Sequence, residues 1–199
     1  AFNAADKAGM SLSIENSAWA TVGDGKPIDQ FIYDESNRIV SAFGNHPSFC
    51  MMPYGNEASG KNAEKYLTGF VNYWKAKDKR RIYTSASGFP ASPASDYTSS
   101  GSARIQWWEA GLKSPINAKP PSTDFDWSPY IEKNKPTVSH EIGQWCVYPN
   151  FKEMVKYDGV LKPKNFEIFR DKLEEHGMLK LADSFLYASG KLQVLCYKA

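Results

Sequence analysis

Apolar and polar positions follow two rhythms along this chain. Over residues 29–43, apolar side chains recur at Phe31, Ile32, Ile39, Val40 and Phe43, and over residues 63–77 at Tyr66, Leu67, Phe70, Val71 and Trp74. Both sets fall on one face of a 3.6-residue repeat, so the spacing predicts two amphipathic helices. Residues 2–8 read as the end of another helix stopped by Gly9, and residues 165–176 as a helix with Phe166, Phe169 and Leu173 inward, stopped by Gly177. Residues 178–187 and 191–197 extend a helical tail. Between these stretches lie short apolar runs too brief for helices: residues 10–14, 49–52, 81–85 and 136–142. They read as strands, with a weaker candidate at 104–108.

Strands alternating with helices imply parallel strands joined by helical crossovers, an α/β architecture. Residues 88–102 and 114–124 are rich in Ser, Pro, Ala and Gly, lack a period and read as loops. No Gly-x-Gly-x-x-Gly follows a strand, and no Gly-x-Ser-x-Gly occurs, which removes a dinucleotide fingerprint and a serine-hydrolase elbow. A chain of 199 residues can bury one sizeable core.

Composition narrows the classes further. With 24 Lys+Arg against 22 Asp+Glu, no single-sign field draws the chain to nucleic acid. Three cysteines are too few and too odd in number for a disulfide framework, and His46, His140 and His176 lack zinc-protease spacing. No metal or other cofactor is expected. No apolar run reaches ~18 residues, so no membrane span is expected, and the start has no signal-peptide pattern. Aromatics make up 14% of the chain, enough to supply stacking platforms as well as core.

Two carboxylates follow short apolar strands directly: Glu57 after residues 49–52, and Glu141 within 136–142. In a parallel barrel all strand ends point to one face, so both would converge there. Two carboxyl groups on one cavity are the minimum apparatus for glycoside hydrolysis.

The surrounding residues carry a resemblance. Gly44-Asn45-His46-Pro47-Ser48 through Gly55-Asn56-Glu57 resembles the fourth-strand signature of glycoside hydrolase family 2 and, more broadly, of the clan A retaining glycosidases. Ser139-His140-Glu141-Ile142-Gly143-Gln144-Trp145 is similar to the seventh-strand nucleophile segment of the same group, and residues 5–19 to its helix and third strand. The resemblance implies a partial (β/α)8 barrel, strands three to seven, with residues 1–199 a single segment of a larger catalytic domain. It implies Glu57 as acid/base and Glu141 as nucleophile, in a β-galactosidase-like enzyme cleaving terminal β-linked sugars with retention. Asn56 would hydrogen-bond the sugar's 2-hydroxyl, Trp145 and Trp19 would stack on sugar faces, and His140 would tune the nucleophile and belong to the substrate-binding set. Ile142 stands where many members carry Tyr or Phe, so the resemblance assigns no named sugar specificity.

A segment of five parallel strands would leave sheet edges for the rest of its parent chain, or for self-association, to cover. An oligosaccharide or polysaccharide substrate and a secreted or periplasmic location follow from the same resemblance. The competing readings are a noncatalytic carbohydrate-binding module and an inactive structural fragment of a larger glycosidase.

Overall fold

A computed structural model describes residues 1–100, 126–142 and 146–198. By its internal contacts the chain divides into two units, Ala1–Arg104 with Trp127–His140, and Ile105–Asp126 with Glu141–Ala199.

The first unit is mixed α/β with parallel sheets, as the alternating pattern predicts. Helix α1 (Phe2–Ala8) ends at Gly9, whose φ of 67° is the left-handed conformation that closes a helix. Strand β1 (Leu12–Ser13) pairs in parallel with β2 (Phe49–Pro53), and β2 with β3 (Ile82–Thr84). Helix α2 (Pro27–Phe43) crosses over from β1 to β2, and α3 (Ala63–Lys77) from β2 to β3. A second parallel pair joins β4 (Thr98–Ser100) to β5 (Thr137–Ser139). The candidate strand at 104–108 and the loop at 114–124 lie outside the described residues.

The helices earn their places through the predicted faces. Leu67, Phe70, Val71 and Trp74 of α3 are fully buried against Met52, Tyr54 and Tyr83 in one core cluster. Each such side chain contributes roughly 1.5–3 kcal/mol on leaving water. Helix α2 is shallower than its pattern suggested. Ile32 is buried, but Phe31 and Phe43 stay 41% and 42% exposed. Phe43 instead stacks on Phe2, ring centroids 4.9 Å apart, so it helps tie α1 down. Residue Ser36 takes a core position on α2 because its hydroxyl accepts the indole N–H of Trp74 at 3.1 Å.

Strand β4 was expected to be loop. Thr-Ser-Ser has no apolar residue to signal it, and its pairing partner lies well down the chain at Thr137–Ser139. The backbone joins the two sheets sideways: Asp96 N–H donates to Tyr83 O at 2.8 Å, and Tyr83 N–H to Asp96 Oδ2 at 3.0 Å. Between Ser13 and Tyr97 the hydroxyls meet at 3.3 Å. Tyr97, just ahead of β4, thus reaches β1, the far edge strand of the three-stranded sheet. Burial pushes the Tyr97 phenol up to about 12, keeping it neutral.

The second unit is helical where described: a 3-10 turn at Phe151–Lys156, helix α4 (Lys164–Glu175), a 3-10 turn at Leu179–Leu181, and helix α5 (Ala182–Lys198). Leu173 and Pro163 are buried there; Phe169, expected inward, is 43% exposed. Tyr148 packs edge-on against Phe169 at 5.0 Å and donates its amide N–H to Ser189 Oγ at 2.8 Å. No described helix is long and apolar enough to cross a membrane.

Candidate active site

Because the strands are parallel, their carboxyl ends lie together, and the polar residues following them gather at one end of the first unit. The turn after β2 is built by close approach. A Cβ on Gly55 (φ 157°) would lie 2.5 Å from Ala18 O, so only glycine fits there. Three amides then clamp the turn between its neighbours. Asn56 N–H donates to Ala18 O at 2.8 Å, Glu57 N–H to Ser87 O at 3.0 Å, and Ala58 N–H to Phe89 O at 3.0 Å. The turn after β2 is thus stitched to those after β1 and β3.

Glu57 itself sits at φ 38°, a left-handed conformation that costs a non-glycine residue of order 1–3 kcal/mol. The clamping amides hold it there. His140 follows β5, its N–H donating to Ser100 O at 2.9 Å to continue the β4–β5 ladder. Its ring is nine-tenths buried, and Nε2 stands 3.4 Å from Glu57 Oε1. Gly88 (φ 81°) covers this pair: a Cβ there would come within 3.1 Å of both Glu57 Cγ and His140 Nε2. Any side chain at position 88 would therefore displace one of them.

Glu141 is bonded to His140 and is the second non-glycine residue with positive φ, at 52°. Asn56 Oδ1 is buried and accepts no hydrogen bond among the described residues. On the turn after β1, Asn16 Nδ2 donates to Tyr54 O at 2.8 Å, and the Glu15 carboxylate accepts from Ser87 Oγ.

Of the residues singled out from sequence, Glu57, Asn56 and His140 stand together in the first unit, and Glu141 follows His140 in the chain as the first residue of the second unit's later segment. Trp19 lies between Ala18 and Ala20 on the turn after β1, with its side chain 77% exposed. Trp145 lies outside the described residues. The His140 ring faces Glu57, the proposed acid/base. Ser87 and Gly88 escaped the sequence reading. A glycine just past a predicted strand was the one signal that could have drawn attention to them.

No protein-family model matches this chain, and no curated protein matches it.

Proposed function

We propose that this chain is part of the catalytic domain of a retaining glycoside hydrolase, with Glu57 as acid/base and Glu141 as nucleophile. The observation that carries the reading is the setting of Glu57: a strand-end carboxylate in left-handed backbone, 3.4 Å from the His140 imidazole, whose chain neighbour is a second strand-end carboxylate. Parallel strands joined by helical crossovers are consistent with a portion of a (β/α)8 barrel, an architecture whose catalytic groups stand at strand carboxyl ends.

In this reading Glu57 protonates the leaving glycosidic oxygen as Glu141 attacks the anomeric carbon, giving a glycosyl ester on Glu141. Glu57, now a carboxylate, removes a proton from water as the water opens that ester, and the anomeric configuration is retained. His140 orients the Glu57 carboxyl, and Gly88 keeps the space between them free of bulk. The Asn56 Oδ1 acceptor suits a sugar hydroxyl, a bond that tightens as positive charge builds on the ring. The substrate is a terminal β-linked sugar, and Trp19 offers an exposed aromatic face beside it.

The test is covalent trapping in the full-length protein. A panel of 2-fluoro aryl β-glycosides should leave one fluorosugar mass on the peptide carrying Glu141. Absence of any adduct, together with no aryl glycoside turnover across the panel, would sink the reading. Turnover unchanged by a chelator is also expected, since neither carboxylate needs a metal for this chemistry; loss of activity on chelation would count against the reading.

A further inference from the structure

A separate cavity of about 250 Å3 opens within the first unit, between the end of β3, the loop from Gly88 to Ser95, strand β4 and the segment ahead of β5. At roughly 30 Å3 per molecule it has room for about eight waters, and it is smaller than the ~300–1,000 Å3 of drug-sized sites. A single sugar ring is the scale of ligand it admits.

Its walls mix apolar residues, Ala86, Ala91 and Pro93, with hydroxyl groups whose hydrogen bonds decide what polar contacts it can offer. Thr84 Oγ1 donates to Tyr97 O at 2.8 Å, and Ser85 Oγ to Pro90 O at 2.7 Å, so those two protons are committed to the protein. Ser95 and Ser99 differ. Ser95 Oγ accepts from Ser85 N–H at 3.0 Å and Ser99 Oγ from Gly88 N–H at 3.4 Å, which leaves each hydroxyl proton to donate. At the rim stand one carboxylate and one ammonium. Glu132 Oε1 takes the Thr98 hydroxyl at 2.8 Å, and Lys135 Nζ gives one of its protons to Pro93 O at 3.2 Å. Each keeps further capacity, as acceptor and donor respectively, and their charges cancel.

We propose that this cavity binds one neutral sugar ring at a site of its own, separate from the strand-end carboxylates. Paired donors and acceptors without net charge, set beside apolar walls, match a ring bearing several hydroxyls on a carbon frame, and mismatch a phosphate or a carboxylate. Gly88 links the two places: it lines the cavity and also covers Glu57 and His140. A second ring bound here would hold an oligosaccharide beside the carboxylates. The choice of sugar as ligand rests on the glycosidase reading; the existence of a polar, uncharged binding site does not.

The test is a titration of the isotope-labelled full-length protein, carrying Glu57→Gln, with methyl β-glucoside and methyl β-galactoside, followed by amide shifts. Saturable shifts at Ser95 and Ser99, with affinity on the order of millimolar, are expected for a polar ligand of a dozen heavy atoms. Ala91, exposed at the rim, is the place to plug the cavity. Ala91→Trp should weaken that binding at least tenfold while fluorosugar labelling of Glu141 in the otherwise native protein persists. Should tryptophan unfold the protein, Ala91→Leu gives the same readout with a smaller plug. Shifts confined to Asn56 and Glu57, shifts that never saturate, or binding indifferent to the plug would reduce the cavity to a hydration site. Failure of Glu141 labelling with retained binding at Ser95 and Ser99 would instead overturn the glycosidase reading alone.

Discussion

The two ends of the strands in the first unit are built on different principles. At the amino ends, charges meet opposite charges. Asp78, ahead of β3, bonds the Arg80 guanidinium at 2.8 Å and also pairs with Arg81, which is 6% exposed and lies over the Phe49 ring at 4.1 Å. Arg80 and Arg81 both donate to Gly44 O, at 3.0 and 2.6 Å. Asp6, at the end of α1, takes His46 Nδ1 at 2.6 Å and Ser48 N–H at 3.0 Å ahead of β2. At the carboxyl ends, the Glu57 carboxylate stands beside a histidine, the Asn56 amide oxygen accepts nothing among the described residues, and Glu57 holds an unfavourable backbone. Among the described residues, unpartnered buried atoms occur at both ends, Ser48 Oγ and Arg81 Nε among them. The difference lies in the ion pairs of the amino ends and the strained Glu57 turn of the carboxyl ends. That division is what a parallel sheet with function at one face should show.

The largest test of the contrast is at the carboxyl ends. Glu141→Ala should lower kcat by about 10^4-fold or more while leaving the denaturation midpoint nearly unchanged, and azide should restore turnover with inverted product. Glu57→Gln should cost about 10^2–10^4-fold with substrates whose leaving group needs a proton, and far less with an activated aryl leaving group. Glu57→Gly adds a stability readout. Glycine accepts φ 38° without penalty, so this variant should be inactive yet more stable by about 1 kcal/mol. A destabilised Glu57→Gly would mean the carboxylate belongs to the fold, and the contrast between the ends would fail.

At the amino ends the expected effect is on stability alone. Asp78→Ala leaves the buried Arg81 guanidinium without its carboxylate, and losing one partner of such a pair costs about 3–5 kcal/mol. Urea unfolding should show that loss with kcat unchanged in the folded fraction. The same carboxylates set the acid limit. Hydrogen bonds from Arg80 hold the Asp78 carboxyl at about 2, and those from Ser48 and then His46 hold Asp6 at about 2, against an ordinary 3.8. Both are depressed in the fold, so their stabilisation is present above pH ~4 and is lost as pH falls toward 2. Asp78→Asn and Asp6→Asn should each flatten stability against pH in that window; a profile that stayed as steep would remove these groups from the account.

Legibility in the sequence followed the range of the interactions. Helix α3 was readable to its ends because Leu67, Phe70, Val71 and Trp74 repeat at helical spacing and all bury. Strand β2 was readable because an apolar run between two prolines has few alternatives. Strand β4 was not, since Thr98–Ser100 is polar and is a strand only by virtue of its bonds to Thr137–Ser139. For the site, Glu57 and His140 could be marked from their positions after strands. Their meeting at 3.4 Å depends on how β2 and β5 are arranged, and no local pattern encodes that. Gly88 was hidden for the same reason: its neighbours Glu57 and His140 are remote in sequence on both sides.

Trp19 gives the smallest expected effect and separates the two ends most finely. Its side chain is 77% exposed, so it adds little to the core and its removal should leave stability within about 0.5 kcal/mol. Its backbone neighbours are fixed, with Ala18 O accepting from Asn56 N–H at 2.8 Å and Ala20 O from Ser59 N–H at 3.0 Å. The indole is therefore carried on the same stitched turns as Glu57. A rigidly mounted, exposed aromatic face at the carboxyl ends is useful only to something that arrives there. If that is a sugar, Trp19→Ala should raise KM by about 2–10-fold, the worth of one aromatic contact, and leave kcat unchanged. Trp19→Phe should recover most of the loss, because a flat apolar face remains. Equal loss in both variants would assign the effect to the indole N–H, and no effect in either would place the substrate away from the β1 turn.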